Sequence, residues 1–476
     1  MASVVRIGTD VAVVGAGPAG SVIATRLLQL GFDVALIERA RFPRQRLGES
    51  LSPGVMPLLA AAGVATRIEA LRFPRVRKVA IRWEGASEVR EDPREQGMLV
   101  DRGTFDAALV ARARDIGVRV LQPADVRQLV AEPDGWCLTI GASDRAVELH
   151  SAFLVDATGR SGLVREPRNQ AGPRTIAVHG YWTGSDLPRF PRIEAGESEW
   201  YWGVPIPGGS YNTIVFVDGE RLRGERGASL DDRLRALLAR ASLADDVRNA
   251  TLRSPARAAD ATPYYMEGCV GDRRISIGDA ALALDPLSSS GVQKAIQTSL
   301  SGAIVVNTLL RRPDSRDAAT RFYRNTIRES SERHQAWARR HYATAAVTRP
   351  HAFWTDRAQG VSRLDGEDTV TTAPQGDDTP LGLSAASAWE DVPCLGEQFV
   401  EIRTALHHPA LEGPVAFVGG HALAPLLRDA PAGISARQFA AAWSDRMPAQ
   451  TAVSIVHWLS RHGVLERCDS SSGTAV

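Results

Sequence analysis

The chain reads as an α/β protein: a Rossmann-type domain, a mixed β-sheet domain inserted into it, and a small helical, winged-helix-like module at the C-terminal end. Three observations predict this. The apolar run Val11 to Val14 leads into a glycine-rich turn and then into helix formers, which is the strand–turn–helix order of a βαβ unit. Far downstream, Ile275 to Ile277 and the helical stretch from Gly291 to Leu310 return to the same pattern, with strand- and turn-rich sequence between. Beyond a stretch rich in Gly, Asp, Thr, Pro and Ser, the chain becomes helical once more.

In order, Val11 to Val14 is suited to a strand buried on both faces, Ser21 to Leu30 to a helix stopped by Gly31, and Val34 to Ile37 to a second strand ending in Glu38. Val79, Ile81 and Trp83 alternate with Lys78, Ala80 and Arg82, which predicts a half-exposed strand. A helix is expected from Asp101 to Asp115, a buried strand at Phe153 to Val155, and a helix from Leu230 to Ala241 within an otherwise strand-rich region. The boundaries that follow are 1–75, 101–165 and 270–345 for the dinucleotide domain, and 76–100 with 166–269 for the substrate domain. Residues 346–395 read as a linker or loop, 396–468 as the C-terminal module and 469–476 as a disordered tail. Within the module, Ser435 is placed to cap one helix and Pro448 to open another that stops at Gly463.

A length of 476 residues calls for more than one packed unit, and 44% hydrophobic with 23% charged residues is ordinary for a globular chain. A net charge of +1 gives no electrostatic argument for nucleic acid or an anionic membrane as partner. Arg67, Arg72, Arg75, Arg77, Lys78 and Arg82 crowd together, and a solvated basic face accounts for them. The four cysteines (Cys137, Cys269, Cys394, Cys468) show neither paired spacing nor a metal-binding spacing, so neither a disulfide framework nor a metal is expected. No signal core or bilayer-length apolar run is evident, and a cytoplasmic location is the expectation. His179 sits among strands without a partner at fixed spacing and reads as structural.

The chemistry begins at Gly15-Ala16-Gly17-Pro18-Ala19-Gly20. Gly15 permits the tight turn, Gly17 lets a pyrophosphate approach the backbone, and Gly20 lets helix and strand pack closely; the helix amino end then faces the phosphates. Glu38 is placed to accept hydrogen bonds from an adenosine ribose. The glycine motif does not by itself separate NAD from FAD. Three later segments do: Leu154-Val155-Asp156-Ala157-Thr158-Gly159, Ile277-Gly278-Asp279-Ala280, and Asp285-Pro286-Leu287-Ser288-Ser289-Ser290-Gly291. In order and spacing they resemble flavoprotein hydroxylases of the para-hydroxybenzoate-hydroxylase-like fold. Residues 41–51, with Arg41-Phe42-Pro43-Arg44 and Gly48-Glu49-Ser50, narrow the resemblance to the branch of flavin halogenases, geranylgeranyl-reductase-like proteins and tryptophylquinone-maturation flavoproteins. It extends over roughly Thr9 to Leu310.

That resemblance implies FAD contacts at Gly15, Ala16, Gly17, Pro18, Ala19, Gly20, Glu38, Arg39, Arg46, Gly48, Glu49, Ser50, Arg102, Ala157, Gly159, Gly278, Asp279, Pro286, Ser290, Gly291 and Val292. It implies a substrate pocket walled by Trp200, Trp202, Ser288, Ser289 and Ser290. Lys78, in Lys78-Val79-Ala80-Ile81-Arg82-Trp83, is similar to the halogenases' active-site lysine, and Trp200-Tyr201-Trp202-Gly203-Val204-Pro205 to their WxWxIP. Ser288-Ser289-Ser290-Gly291-Val292-Gln293-Lys294-Ala295 and the C-terminal unit are instead closer to the quinone-maturation flavoproteins. The activity implied is hydroxylation of an electron-rich ring through a flavin C4a-hydroperoxide, on a tryptophan carried by an amine dehydrogenase precursor subunit, with a radical maturation enzyme as a second partner. O2 would be co-substrate, and NAD(P)H would supply electrons directly or through a separate reductase. Halogenation, polyprenyl reduction and a non-catalytic FAD-bound chaperone are the alternatives.

Overall fold

A computed structural model describes residues 5–91, 97–142, 145–220, 227–360, 379–428, 430 and 433–467. The chain divides into two compact units, Met1–Val361 and Ser362–Val476.

In the first unit, strand β1 (Val5–Val14), helix α1 (Pro18–Gln29) and strand β2 (Val34–Ile37) form the expected βαβ entry. Strands β3 (Lys78–Arg82) and β4 (Glu88–Glu91) leave that layer. Helix α2 (Arg102–Asp115) and strand β5 (Arg119–Leu121) return to it. There follow the hairpin β6 (Asp125–Glu132) and β7 (Gly135–Ala142), then the long strand β8 (Arg145–Asp156). A second departure comprises β9 (Thr175–Thr183), β10 (Arg192–Ala195), β11 (Glu199–Ile206), β12 (Ser210–Asp218), α3 (Leu230–Leu238) and β13 (Arg257–Asp260). Strand β14 (Arg274–Ser276), helix α4 (Gly291–Arg311), helix α5 (Arg316–Thr348) and helix α6 (Ala352–Arg357) complete the unit.

Strands β14, β8, β1, β2 and β5 are parallel neighbours in the first sheet, with Val13 level with Val155 on one side and Leu36 on the other. Val11, Ala12 and Val13 are wholly buried, as a strand covered on both faces requires. The hairpin β6–β7 extends β8 in antiparallel fashion. The second sheet runs β9–β12–β11–β10 antiparallel, then joins β10 to β3 in parallel, so it is mixed as expected. Because β3 is flanked by β10 and β4, its two faces are not cleanly split. Ala80, on the face shared by Lys78 and Arg82, is its most buried residue, whereas Val79 and Ile81 are only half-buried. The basic cluster from Arg67 to Arg82 is exposed throughout.

Residues 346–395 are not one loop. Helix α6 locks onto the second sheet: Trp354 is wholly buried, meets Trp83 edge-on at 5.4 Å and donates its Nε1–H to the Glu197 carbonyl at 2.8 Å. Two buried indoles outweigh the loop-like composition around them. Strands β15 (Leu381–Leu383) and β16 (Ala388–Leu395) then open the second unit. Residues 361–378 and the expected tail 469–476 lie outside the described residues.

The second unit pairs β16 with β17 (Val400–His407) as a hairpin, then packs helices α7 (Ala436–Ala442) and α8 (Ala449–Arg461) around Phe439, Trp443, Ile455, Val456 and Leu459. Ser435 caps α7 in a capping box with Gln438, and Pro448 precedes α8. The closing strand β18 (Leu465–Arg467) pairs antiparallel with β15. Among the described residues, no helix is long and apolar enough to cross a membrane.

Candidate active site

A cavity of about 850 Å³ runs from the glycine turn of the first sheet to the inner face of the second. Its first half is a cradle of backbone groups. Gly15 has φ +99°, and a Cβ there would stand 2.4 Å from the Ala157 carbonyl oxygen; one on Gly20 would stand 1.8 Å from that of Gly15. Those two glycines are demanded by the protein's own packing. Gly17 is different: a Cβ would meet only an Arg44 guanidinium nitrogen at 3.7 Å, so the protein itself leaves that space open. Gly17 caps α1 without a side-chain acceptor, and Ser290 caps α4 in the same way. Two long helices thus bring uncapped N–H groups to one cavity, which fits an anionic, dinucleotide-sized ligand.

Charged side chains hold this cradle in shape. Glu38 accepts the Ala16 N–H at 2.9 Å and the Ala40 N–H at 2.8 Å, with Arg44 3.6 Å away. Arg102, nine-tenths buried, makes a two-pronged pair with Asp106 at 3.0 and 3.2 Å and donates to the Leu47 carbonyl. Asp156 accepts the N–H groups of Thr158, Leu163 and Val164, which fixes the turn carrying Ala157 and Gly159. Asp279 is paired with the buried Lys294 at 2.7 Å. Burial alone would raise its carboxyl, but Lys294 and Arg160 hold it below the usual carboxylate range.

The second half is aromatic and comes from alternate residues of the second sheet. Ala177, His179 and Tyr181 line it from β9, Trp200 and Trp202 from β11, and Ile214 and Phe216 from β12. Trp200 is stacked on Phe216 with centroids 3.7 Å apart and is almost wholly buried, so it builds the wall; Trp202 is only half-buried. Glu49 joins the halves: it accepts from Tyr181 Oη at 2.7 Å, Asn212 Nδ2 at 3.1 Å and its neighbour's N–H, and burial pushes its carboxyl upward.

Of the expected cofactor contacts, Gly15, Gly17, Pro18, Ala19, Glu38, Arg39, Arg46, Gly48, Glu49, Ser50, Arg102, Ala157, Gly159, Asp279, Pro286, Ser290, Gly291 and Val292 line the cavity. Ala16, Gly20 and Gly278 stand behind it. Gly278 has φ +57°, and a Cβ there would lie 2.8 Å from that of Ala19. Of the expected pocket wall, Trp200, Trp202, Ser289 and Ser290 line the cavity and Ser288 does not. Ser289 takes a left-handed conformation, φ +51°, which turns Ser288 away to a 2.6 Å contact with His334 Nε2. Lys78 is also outside: it is half-exposed at the start of β3 and paired with Glu91 at 3.1 Å.

His179, read as structural from sequence, instead lines the cavity. Burial, with Arg257 level with it on β13, pushes the imidazole down to about 4, so it is neutral at ordinary pH. Its Nδ1 is buried with no hydrogen-bond partner among the described residues. The available signal was the alternation Ala177, His179, Tyr181 on a single strand face. Arg44 was also missed, although it belongs to the segment that carried the resemblance.

Comparison with known proteins agrees with this geometry. A tryptophan 2-halogenase from Chondromyces crocatus is 30% identical over 341 residues, covering 66% of this chain and 64% of its own length. A chlorinase of pyrrole-2-carbonyl-[peptidyl-carrier protein] from Pseudomonas fluorescens is 26% identical, covering 62% of this chain and 75% of its own. Among solved structures, the flavin-dependent halogenase CmlS superposes with a TM-score of 0.80 at 23% identity, covering 97% of this chain and 96% of that one. The peptidyl tryptophan dihydroxylase QhpG, essential for tryptophylquinone cofactor biogenesis, does so with a TM-score of 0.74 at 25% identity, covering 96% and 99%. The model of the FAD binding domain matches residues 8–311, the stretch that builds both halves of the cavity, and the chain belongs to that family of FAD-binding proteins.

Proposed function

We propose that this chain is an FAD-dependent monooxygenase that hydroxylates an electron-rich aromatic ring, a tryptophan borne on a protein, during maturation of a tryptophylquinone cofactor. The observation that carries the choice of reaction is the position of Lys78. An aromatic pocket continuous with the FAD cradle suits an indole, but the one lysine with a halogenase-like sequence context pairs with Glu91 outside that pocket. Bound FAD, once reduced, supplies oxygen activation with O2 as co-substrate and NAD(P)H or a reductase as electron source. The chain's own part is to hold the phosphates on the Gly15–Gly20 turn and the ribose on Glu38, to stabilise negative charge at the amino end of α4, and to hold the ring against the sheet face that carries Trp202 and His179, away from water.

The peptidyl target is supported by the near end-to-end likeness to the dihydroxylase, which covers 96% of this chain, most of the second unit included, and 99% of that one. CmlS is covered almost as fully, and the curated relatives are halogenases, which favours aromatic halogenation as the second reading. One experiment separates them. Enzyme with FAD, a reductant and O2 is incubated with free and peptide-borne indoles, with and without chloride or bromide, and products are weighed by mass spectrometry. Oxygen addition to the peptide, indifferent to halide, is the expected result; halide-dependent isotope patterns would establish the second reading instead. We infer that the second unit serves to dock the peptide substrate; truncation within residues 361–378 tests this, because such a cut leaves Trp354 in the core of the first unit. Retained flavin with loss confined to the peptide substrate is expected.

A further inference from the structure

Away from the cavity, the β6–β7–β8 sheet places a thiol, an imidazole and a carboxylate side by side. Cys137 and His150 are directly opposite in the β7–β8 register, and Cys137 is opposite Val130 in the β6–β7 register. Glu132, two residues beyond Val130, shares its face, so all three side chains emerge on one side. One ligand atom from each lies within 4.8 Å of the others. The Glu132 carboxylate contacts His150 Nδ1 at 3.1 Å, and His150 Nε2 stands 4.0 Å from Cys137 Sγ. Cys137 and His150 are partly buried and Glu132 is exposed, so all three are accessible.

We propose that this face is a binding site for a thiophilic divalent cation of the Zn²⁺ class. A soft thiolate beside a borderline imidazole selects zinc over calcium or magnesium. A carboxylate on Nδ1 fixes the tautomer that turns Nε2 outward, the arrangement by which ligating histidines are oriented. Closing the 4.0 Å gap around an ion needs only side-chain rotation, since Zn–S and Zn–N bonds are about 2.3 and 2.0 Å long. The ion displaces the thiol proton to solvent, and water completes its coordination. Nothing in the linear spacing of Cys137, His150 and Glu132 announces the site, because sheet pairing alone brings them together.

The test uses the full-length, flavin-loaded protein and Zn²⁺ itself, with bound metal measured after dialysis, and Co²⁺ as a spectroscopic substitute. One ion per chain is expected, with a thiolate-to-cobalt charge-transfer band. Cys137→Ser should abolish the band and the ion, His150→Gln should do the same, and Glu132→Gln should weaken binding roughly 10–100-fold. Cys394→Ser should change neither. Flavin content should be unchanged in all four, since none of these residues lines the cavity. Absence of bound zinc in the parent protein, or an undiminished cobalt band in Cys137→Ser, would overturn the assignment.

Discussion

The two halves of the cavity are built on different principles. The cradle half is mostly backbone: glycines at fixed offsets, uncapped helix ends, and charged side chains such as Glu38, Arg102 and Asp156 that pin turns in place. The aromatic half is side-chain packing, with Trp200 against Phe216 and both backed by Trp83, Tyr342 and Trp354 from distant parts of the chain. Backbone constraints tolerate very few residue types, whereas a packed wall accepts many combinations of the right volume. One half therefore answers to a cofactor shared by a whole family, and the other is free to follow the substrate.

The largest expected contrast is at Gly17. Gly17→Val should yield folded, colourless protein, because a Cβ there meets no backbone and only the Arg44 guanidinium at ordinary contact distance, while the side chain takes up space the pyrophosphate needs. Flavin content and melting temperature, measured together, check this; a normal flavin content would mean that the pyrophosphate lies elsewhere. The aromatic half should respond in the opposite way. Trp200→Ala should cost about 3–5 kcal/mol of stability as a buried core indole, while Trp202→Ala, at a half-buried wall position, should leave the denaturation midpoint nearly unchanged and weaken substrate binding. Equal effects at the two would erase the distinction between wall and contact.

A smaller effect concerns pH. His179 stays neutral in the fold down to about 4, whereas the unfolded chain takes up its proton near 6.5. Below that pH the unfolded state binds more protons, so stability is lost as pH falls from about 6.5 to about 4, by on the order of 3 kcal/mol in all. His179→Gln should flatten this limb of the curve in acid unfolding, with His334 supplying a similar residual slope. An unchanged limb would mean that His179 is hydrated and ionisable in the fold. The smallest effect is expected at Lys78→Ala: its exposed pair with Glu91 carries at most about 1 kcal/mol. Flavin binding and oxygen transfer should persist, and complete loss of turnover with flavin intact would restore the halogenase reading.

Much of the cradle was legible without coordinates. Gly15, Gly17 and Gly20, Glu38 at the end of its strand, and Asp285 to Gly291 ahead of a long helix are local signatures, because each function is met within one turn and the element beside it. The same holds for Ser435 and Pro448 at the helix starts of the second unit. Local sequence suffices where the physical demand is local: a positive φ, a missing Cβ, a capping oxygen.

What the tertiary structure alone decided lies where distant segments meet. Ser288 was expected beside the flavin and is turned out by the left-handed Ser289 to meet His334, forty-six residues on. Lys78 was a candidate for chemistry, yet strand pairing with Glu88–Glu91 sets it against Glu91 at the surface. His179 looked isolated in the sequence and proves to line the cavity, because β9 runs between β12 and β13 and presents alternate residues inward. Cys137, His150 and Glu132 show no spacing rule and converge through two antiparallel registers. In each case the deciding quantity is which strand or helix lies alongside. That is set by the burial of large apolar surfaces across the whole unit, and no window of neighbouring residues contains it.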